Sequence, residues 1–176
     1  MFFQNWKLLC YSFLMKKTKL SVTNFIYCGE DYLFIKRKND LKVMAGQVNG
    51  VGGKVENGED YIKACIRETE EETGYKIKKS QIKFCGMIRF ENDNGDDWVT
   101  CFLKIGVKDK NISEDKINNN EGTLLWIDKD KVLKTENIAD DLNYIWEDVL
   151  EDKLFFLSCK VSDNNFQIYE NSKENI

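Results

Sequence analysis

Between Asn49 and Gly74 the chain changes character twice. NGVGGKVENGED (49–60) places glycine at positions 50, 52, 53 and 58, which suits a turning loop whose backbone approaches a ligand closely. YIKACIRETEEET then runs to Gly74 with Ile62, Cys65, Ile66 and Thr69 at helical spacing, acidic residues opening the first turn and glycine as the stop. At 100° per residue, Glu68, Glu71 and Glu72 form one cluster about 120° from that stripe, while Glu70 points elsewhere. Such neighbours repel by roughly 0.2–0.5 kcal/mol per pair, and they sit at a helix end where the macrodipole is already negative. The arrangement calls for a compensating positive charge. Magnesium supplies one, because it is a hard cation that prefers carboxylate oxygens and commonly arrives with substrate phosphates. The bland alternative is a solvated acidic helix face.

The rest of the composition narrows the chemistry. The 176 residues include no histidine, which excludes Ser-His and Cys-His catalysis and histidine-ligated zinc and leaves acid and base work to carboxylates, lysine, tyrosine or metal-bound water. A net charge of −4 and a pI near 5.1 give no basic footprint for duplex nucleic acid. Six cysteines (Cys10, Cys28, Cys65, Cys85, Cys101, Cys159) are widely spaced without a CxxC and read as reduced core residues of a cytoplasmic protein. The N-terminal MFFQNWKLLCYSFL is apolar but carries Gln4, Asn5 and Lys7 and is too short to span a bilayer. Residues 1–14 read as an extension, either an upstream-start artefact or a packing segment, ahead of a single domain over 15–176.

KLSVTNFIYCGEDYLFIKRK (19–38) is two β-rich runs broken by GED, a hairpin signal. QIKFCGMIRFEN and WVTCFLKIGV read as strands joined by DNGDD, EGTLLWID as a further short strand, DDLNYIWEDVLE as a helix, and KLFFLSCKV and NFQIYE as β-type runs. The fold class that follows is α+β, a mixed β-sheet sandwiched between helices.

The motif residues now combine. Gly53, Glu59, Arg67, Glu68, Glu71, Glu72 and Gly74 stand in the spacing GX5EX7REUXEEXGU, and in this the chain resembles the Nudix hydrolase family; Thr69 takes the place of the usual aliphatic residue. The resemblance implies hydrolysis of nucleoside diphosphates linked to another group, with Mg2+ as cofactor and Mn2+ able to substitute. By that likeness Gly53, Glu68, Glu71 and Glu72 would hold the metal, Arg67 would fix the cluster, Glu59 would be structural with Lys63 as its helical partner, and Lys54 would meet the substrate.

Within the family the chain is most similar to MutT-like enzymes, particularly the branch that hydrolyses oxidised purine nucleoside triphosphates such as 8-oxo-dGTP to the monophosphate and pyrophosphate. Asn49 falls where that branch places an asparagine on the purine, and Glu121 where MutT-like enzymes carry a loop glutamate that binds metal or accepts the proton of water. Asp140 and Asp141 match a purine-reading aspartate pair, although adjacent aspartates also cap helices. Ile138 and Ala139 stand where the branch has a stacking tryptophan. Two alternatives stay open: a broader pyrophosphohydrolase acting on dinucleotides or RNA 5′ ends, and a catalytically silent nucleotide sensor. The expected partner is a small nucleotide, without membrane or stable duplex binding, and the protein is expected to be a monomer or homodimer.

Overall fold

The computed structural model describes residues 16–40, 44–93, 95–162 and 165–171; the expected extension over 1–14 lies outside them. Strands β1 (Thr18–Cys28), β2 (Asp31–Arg37) and β3 (Val48–Gly50) lead into helix α1 (Tyr61–Thr73). Then follow β4 (Ile82–Asn92), β5 (Asp97–Gly106), the one-turn α2 (Glu114–Ile117), β6 (Gly122–Asp128), α3 (Leu142–Leu150), β7 (Phe155–Ser162) and β8 (Asn165–Asn171). The strands form one mixed sheet in the order β3-β2-β1-β5-β4-β7-β8, with β6 added on β2. β1 and β2 form the expected antiparallel hairpin, whereas β1–β5 and β4–β7 pair in parallel.

Period-2 alternation builds a core on each face of the sheet. Val22, Ile26, Leu33, Ile35, Leu103 and Ile105 join the cluster on the α1 side, and Phe25, Phe34, Phe102 and Phe155 join that on the α3 side with Leu142, Ile145 and Trp146. The central strands are therefore apolar on both faces, as a sheet covered by helices on both sides requires. Phe25 meets Phe102, Phe34 and Trp146 with ring centroids 5.7–6.4 Å apart, and truncating such a ring to alanine costs about 3–5 kcal/mol.

Two polar residues inside the sheet fix the helices. Asn24, fully buried in β1, donates through Nδ2 to the Cys65 carbonyl at 3.3 Å and to Thr69 Oγ1 at 3.1 Å. This accounts for Thr69 where an aliphatic is usual: its hydroxyl satisfies a polar strand residue beneath it. On the opposite face Lys104 donates to the Val149 carbonyl at 2.9 Å and to Asp152 at 3.0 Å, answering the negative end of α3. The five described cysteines are all free. Among the described residues no helix is long and apolar enough to cross a membrane.

Candidate active site

α1 begins where the Asp60 carboxylate accepts the Lys63 N–H at 2.9 Å, and it ends where Gly74, at φ 81°, donates its N–H to the Glu70 carbonyl. Asp60 acts as the N-cap and Glu59 precedes it, so the expected acidic opening turn is absent from the helix itself. The buried face also differs from the expected stripe. Ala64, Cys65, Thr69 and Thr73 make the close approach, while Ile62 and Ile66 are only partly buried. Small side chains and the Asn24 bonds let this face settle directly on β1.

That rotation turns Glu68 and Glu72 inward. They are 8% and 6% exposed, whereas the Glu71 side chain is 60% exposed, so the expected cluster of three divides into a buried pair and a rim residue. Glu70 is exposed and lies 3.7 Å from Lys76, away from the others as expected.

The extended segment after β3 covers the buried pair. Val51 and Lys54 bridge to Asn24 and Ser21 of β1, and the Gly53 carbonyl accepts the Val22 N–H at 2.9 Å. Glu68 then packs against Gly53 so tightly that a Cβ there would lie 2.4 Å from its Oε1. The neighbouring Gly52 N–H donates to Glu72 Oε2 at 3.2 Å. Glycine at 53 is thus a requirement of space: the carboxylate occupies the volume any other side chain would fill.

Arg67 ties the acids together. Its Nε and one terminal nitrogen donate to the two Glu59 oxygens at 2.8 and 2.9 Å, the other terminal nitrogen donates to Glu68 at 2.8 Å and Glu71 at 3.1 Å, and the fifth bond reaches the Lys54 carbonyl at 2.9 Å. All five guanidinium donors are engaged. Glu59 therefore pairs with Arg67 rather than with the expected Lys63, whose partner is Asp60; a planar fork matches a carboxylate better than an ammonium does. Hydrogen bonding to Arg67 holds the Glu59 carboxyl down at about 2.

Glu121, in the loop before β6, pairs with Arg37 at 3.1 Å. Its charge reaches the buried acids: burial first, then Glu121 and Glu68, push Glu72 up to about 8. Burial likewise raises Glu68, against the pull of Arg67. Two guanidinium groups, Arg67 and Arg37, are thus shared among Glu59, Glu68, Glu71, Glu72 and Glu121. Arg37 is a residue the sequence reading did not single out; KRK offers three cations in a row, and only the pairing with β6 selects the middle one.

Among the described residues no three acidic side chains converge as a ready-made metal cage, since Arg67 draws Glu68 and Glu71 onto itself. The donor set nevertheless fits a hard cation. Glu72 Oε1 is buried without a hydrogen-bond partner, in a carboxyl that burial and the charges of Glu121 and Glu68 raise. An all-oxygen set of clustered glutamates beside a glycine backbone is the chemistry magnesium or manganese prefers.

The residues expected to read the base fall on a neighbouring edge. The segment 137–139 lies along β3: Val48 N–H donates to the Asn137 carbonyl and Ala139 N–H to the Val48 carbonyl. Asn49, next in β3, is nearly buried, with Oδ1 accepting the Gly50 N–H at 2.7 Å and Nδ2 at 3.6 Å from the Met44 sulfur. The aspartates then separate. Asp140 is exposed, while Asp141 is 5% exposed, caps α3 through the Leu142 N–H at 3.1 Å and is pushed by burial up to about 6. Ala139 is packed into the core below α3.

The family model described as NUDIX domain matches residues 17–146. Among solved structures, the chain is similar to a mutator MutT protein from Bacillus halodurans, with TM-score 0.72 at 21% identity over 90% of this chain and 99% of that one. A MutT protein from Methanosarcina mazei Go1 gives TM-score 0.66 at 22% identity over 80% and 99%. A MutT NUDIX hydrolase from Burkholderia pseudomallei gives TM-score 0.64 at 21% identity over 76% and 99%.

Proposed function

The chain belongs to the Nudix family and is a pyrophosphohydrolase of nucleoside diphosphate derivatives, and from that premise we propose that it cleaves purine nucleoside triphosphates to the monophosphate and pyrophosphate, with oxidised forms such as 8-oxo-dGTP preferred. The observation that carries this reading is the buried Glu68–Glu72 pair, closed over by Gly52 and Gly53 and leashed by Arg67, with one Glu72 oxygen unpartnered. Glu68, Glu71 and Glu72, with the Gly53 carbonyl, are the groups we assign to hold Mg2+ or Mn2+. Bound there, such a cation neutralises phosphate charge and lowers the pKa of water.

The chain's own residues do the remaining work. Arg67 keeps Glu68 and Glu71 oriented through bonds that fix their rotamers. Glu121, steadied by Arg37, supplies a further carboxylate that can ligate or take the proton of the attacking water. Lys54, whose ammonium has no carboxylate partner among the described residues, is free to meet a phosphate. The water oxygen adds to one phosphorus, the bridging P–O bond breaks, and the leaving phosphate takes up the negative charge. Asn49, Asp140 and Asp141 read the purine edge: Asp141, raised by burial, is the carboxyl best able to carry a proton and donate as well as accept. Reduced cysteines and an acidic surface accord with work in the cytoplasm on small nucleotides.

The test is a magnesium-dependent release assay over canonical and oxidised nucleoside triphosphates with identified products. We expect monophosphate and pyrophosphate, with the highest kcat/KM on an oxidised purine. Equal kcat/KM for all bases would overturn the base assignment, and metal-independent or absent release would overturn the reaction.

A further inference from the structure

The carboxylates of the candidate active site stand on two separate pieces of the fold. Glu68, Glu71 and Glu72 belong to α1, whereas Glu121 lies in the loop between α2 and β6 and is fastened to β2. Arg37 holds its carboxylate at 3.1 Å, and the Lys38 N–H donates to its carbonyl at 3.0 Å. Groups that share one cation or one attacking water must be held to within roughly 0.5 Å of their working geometry. Something has to keep the Glu121 loop in register with α1.

A run of hydrogen bonds makes that link. Lys116 of α2 donates through Nζ to the Glu71 carbonyl at 2.7 Å, and its stem passes the helix stop, with Cγ 3.9 Å from where a Cβ on Gly74 would stand. The Lys116 carbonyl in turn accepts Asn119 Nδ2 at 3.4 Å, and Asn119 Oδ1 accepts the N–H groups of Glu121 at 2.8 Å and of Gly122 at 3.0 Å. The peptide of Glu121 is thus held from α1 through its N–H and from β2 through its carbonyl. Among the described residues the Lys116 ammonium has no carboxylate partner, so its charge answers the C-terminal end of α1, where the macrodipole and Glu71 and Glu72 are all negative. A lysine at such a place ordinarily does no more than satisfy one of the last carbonyls. Here the same residue opens the connection to Glu121, and Asn119 uses its donor toward Lys116 and its acceptor toward Glu121.

Resting on the role given to Glu121 above, we propose that Lys116 is a positioning residue: through Asn119 it sets Glu121 against the glutamates of α1, and turnover depends on it. It acts through Glu121 and not on the substrate, so its loss slows the chemical step and leaves nucleotide binding in place. Asn119 is the second member of the link, and breaking either member releases the same loop.

The test is a double-mutant cycle at saturating magnesium with dGTP and 8-oxo-dGTP as substrates, using Lys116→Met, Glu121→Gln and the pair, with Lys116→Arg and Asn119→Ala alongside. Methionine keeps an unbranched stem and removes the ammonium. We expect Lys116→Met to lower kcat roughly ten- to a hundredfold with KM within about twofold, and Lys116→Arg, which keeps a cation and a donor, to recover kcat to within about threefold of wild type. Asn119→Ala, which leaves the bond from Lys116 to Glu71 intact, is expected to show the same loss as Lys116→Met. Where Glu121 is already glutamine, Lys116→Met is expected to cause no further loss. Four results overturn the proposal: Lys116→Met near wild type, Asn119→Ala near wild type, no recovery in Lys116→Arg, or losses that multiply in the double variant. Glu121→Gln turning over like wild type overturns the role of Glu121 itself and the proposal with it, and absence of release by the wild-type protein from both substrates overturns the reaction proposed above.

Discussion

Asp140 and Asp141 are identical letters in the sequence, yet one is exposed and the other lies under the start of α3. The chain itself marks only that a helix begins nearby; which carboxylate is buried depends on the docking of α3 on Phe25 and Phe34 through Trp146, a contact between segments far apart in sequence. The burial has a consequence in solution. The folded Asp141 carboxyl holds its proton more tightly than an unfolded one, so its stabilisation is fully present below pH 3.8 and is lost as pH rises through about 6. Asp141→Asn keeps an acceptor for the Leu142 N–H and carries no charge. At pH 8 it is expected to exceed wild type by on the order of 3 kcal/mol, at 1.36 kcal/mol per pKa unit over the rise from 3.8 to about 6, and at pH 4 to match it. Urea unfolding at the two pH values checks this, and a constant difference between them contradicts it.

At the scale of elements, the loop and helix that make the site were legible to different depths. The stop of α1 at Gly74 could be read because a glycine acts within one turn of its own position, whereas Asp60, expected within the first turn, is the N-cap. The rotation of α1 could not be read, because Ile62 and Ile66 look like the better core face until Asn24 is seen to bond Cys65 and Thr69. That rotation buries Glu68 and Glu72, and the glycines answer it differently. A Cβ at Gly53 meets a flexible carboxylate, whereas at Gly52, with φ 152°, it meets the Val22 carbonyl at 2.2 Å. Gly53→Ala is accordingly expected to keep stability within about 1 kcal/mol while lowering kcat at least about tenfold through displaced Glu68. Gly52→Ala is expected to cost about 1–3 kcal/mol of stability. Thermal unfolding alongside steady-state kinetics separates them, and a fully active Gly53→Ala would contradict the packing argument.

For the whole molecule, the hairpin β1–β2 and the strands β4 and β5 followed from local patterning, while the parallel pairs β1–β5 and β4–β7 did not, since crossover pairing leaves no local mark. Those crossovers set α1 and α3 on opposite faces, while the antiparallel pairing of β2 with β6 brings Glu121 to Arg37, 84 residues apart. A site assembled by the complete fold binds its cation in the native state alone, so magnesium at a hundred times its Kd is expected to stabilise the protein by about 2.7 kcal/mol; an unchanged Tm in millimolar magnesium, with and without nucleotide, would contradict a site of this kind. The central claim, that the buried glutamates of α1 run a magnesium-dependent phosphoanhydride hydrolysis, is tested most directly by the rate of product release from a nucleoside triphosphate by wild type and Glu72→Gln at saturating magnesium. The account predicts a folded variant slowed by orders of magnitude, and turnover near that of wild type would contradict it.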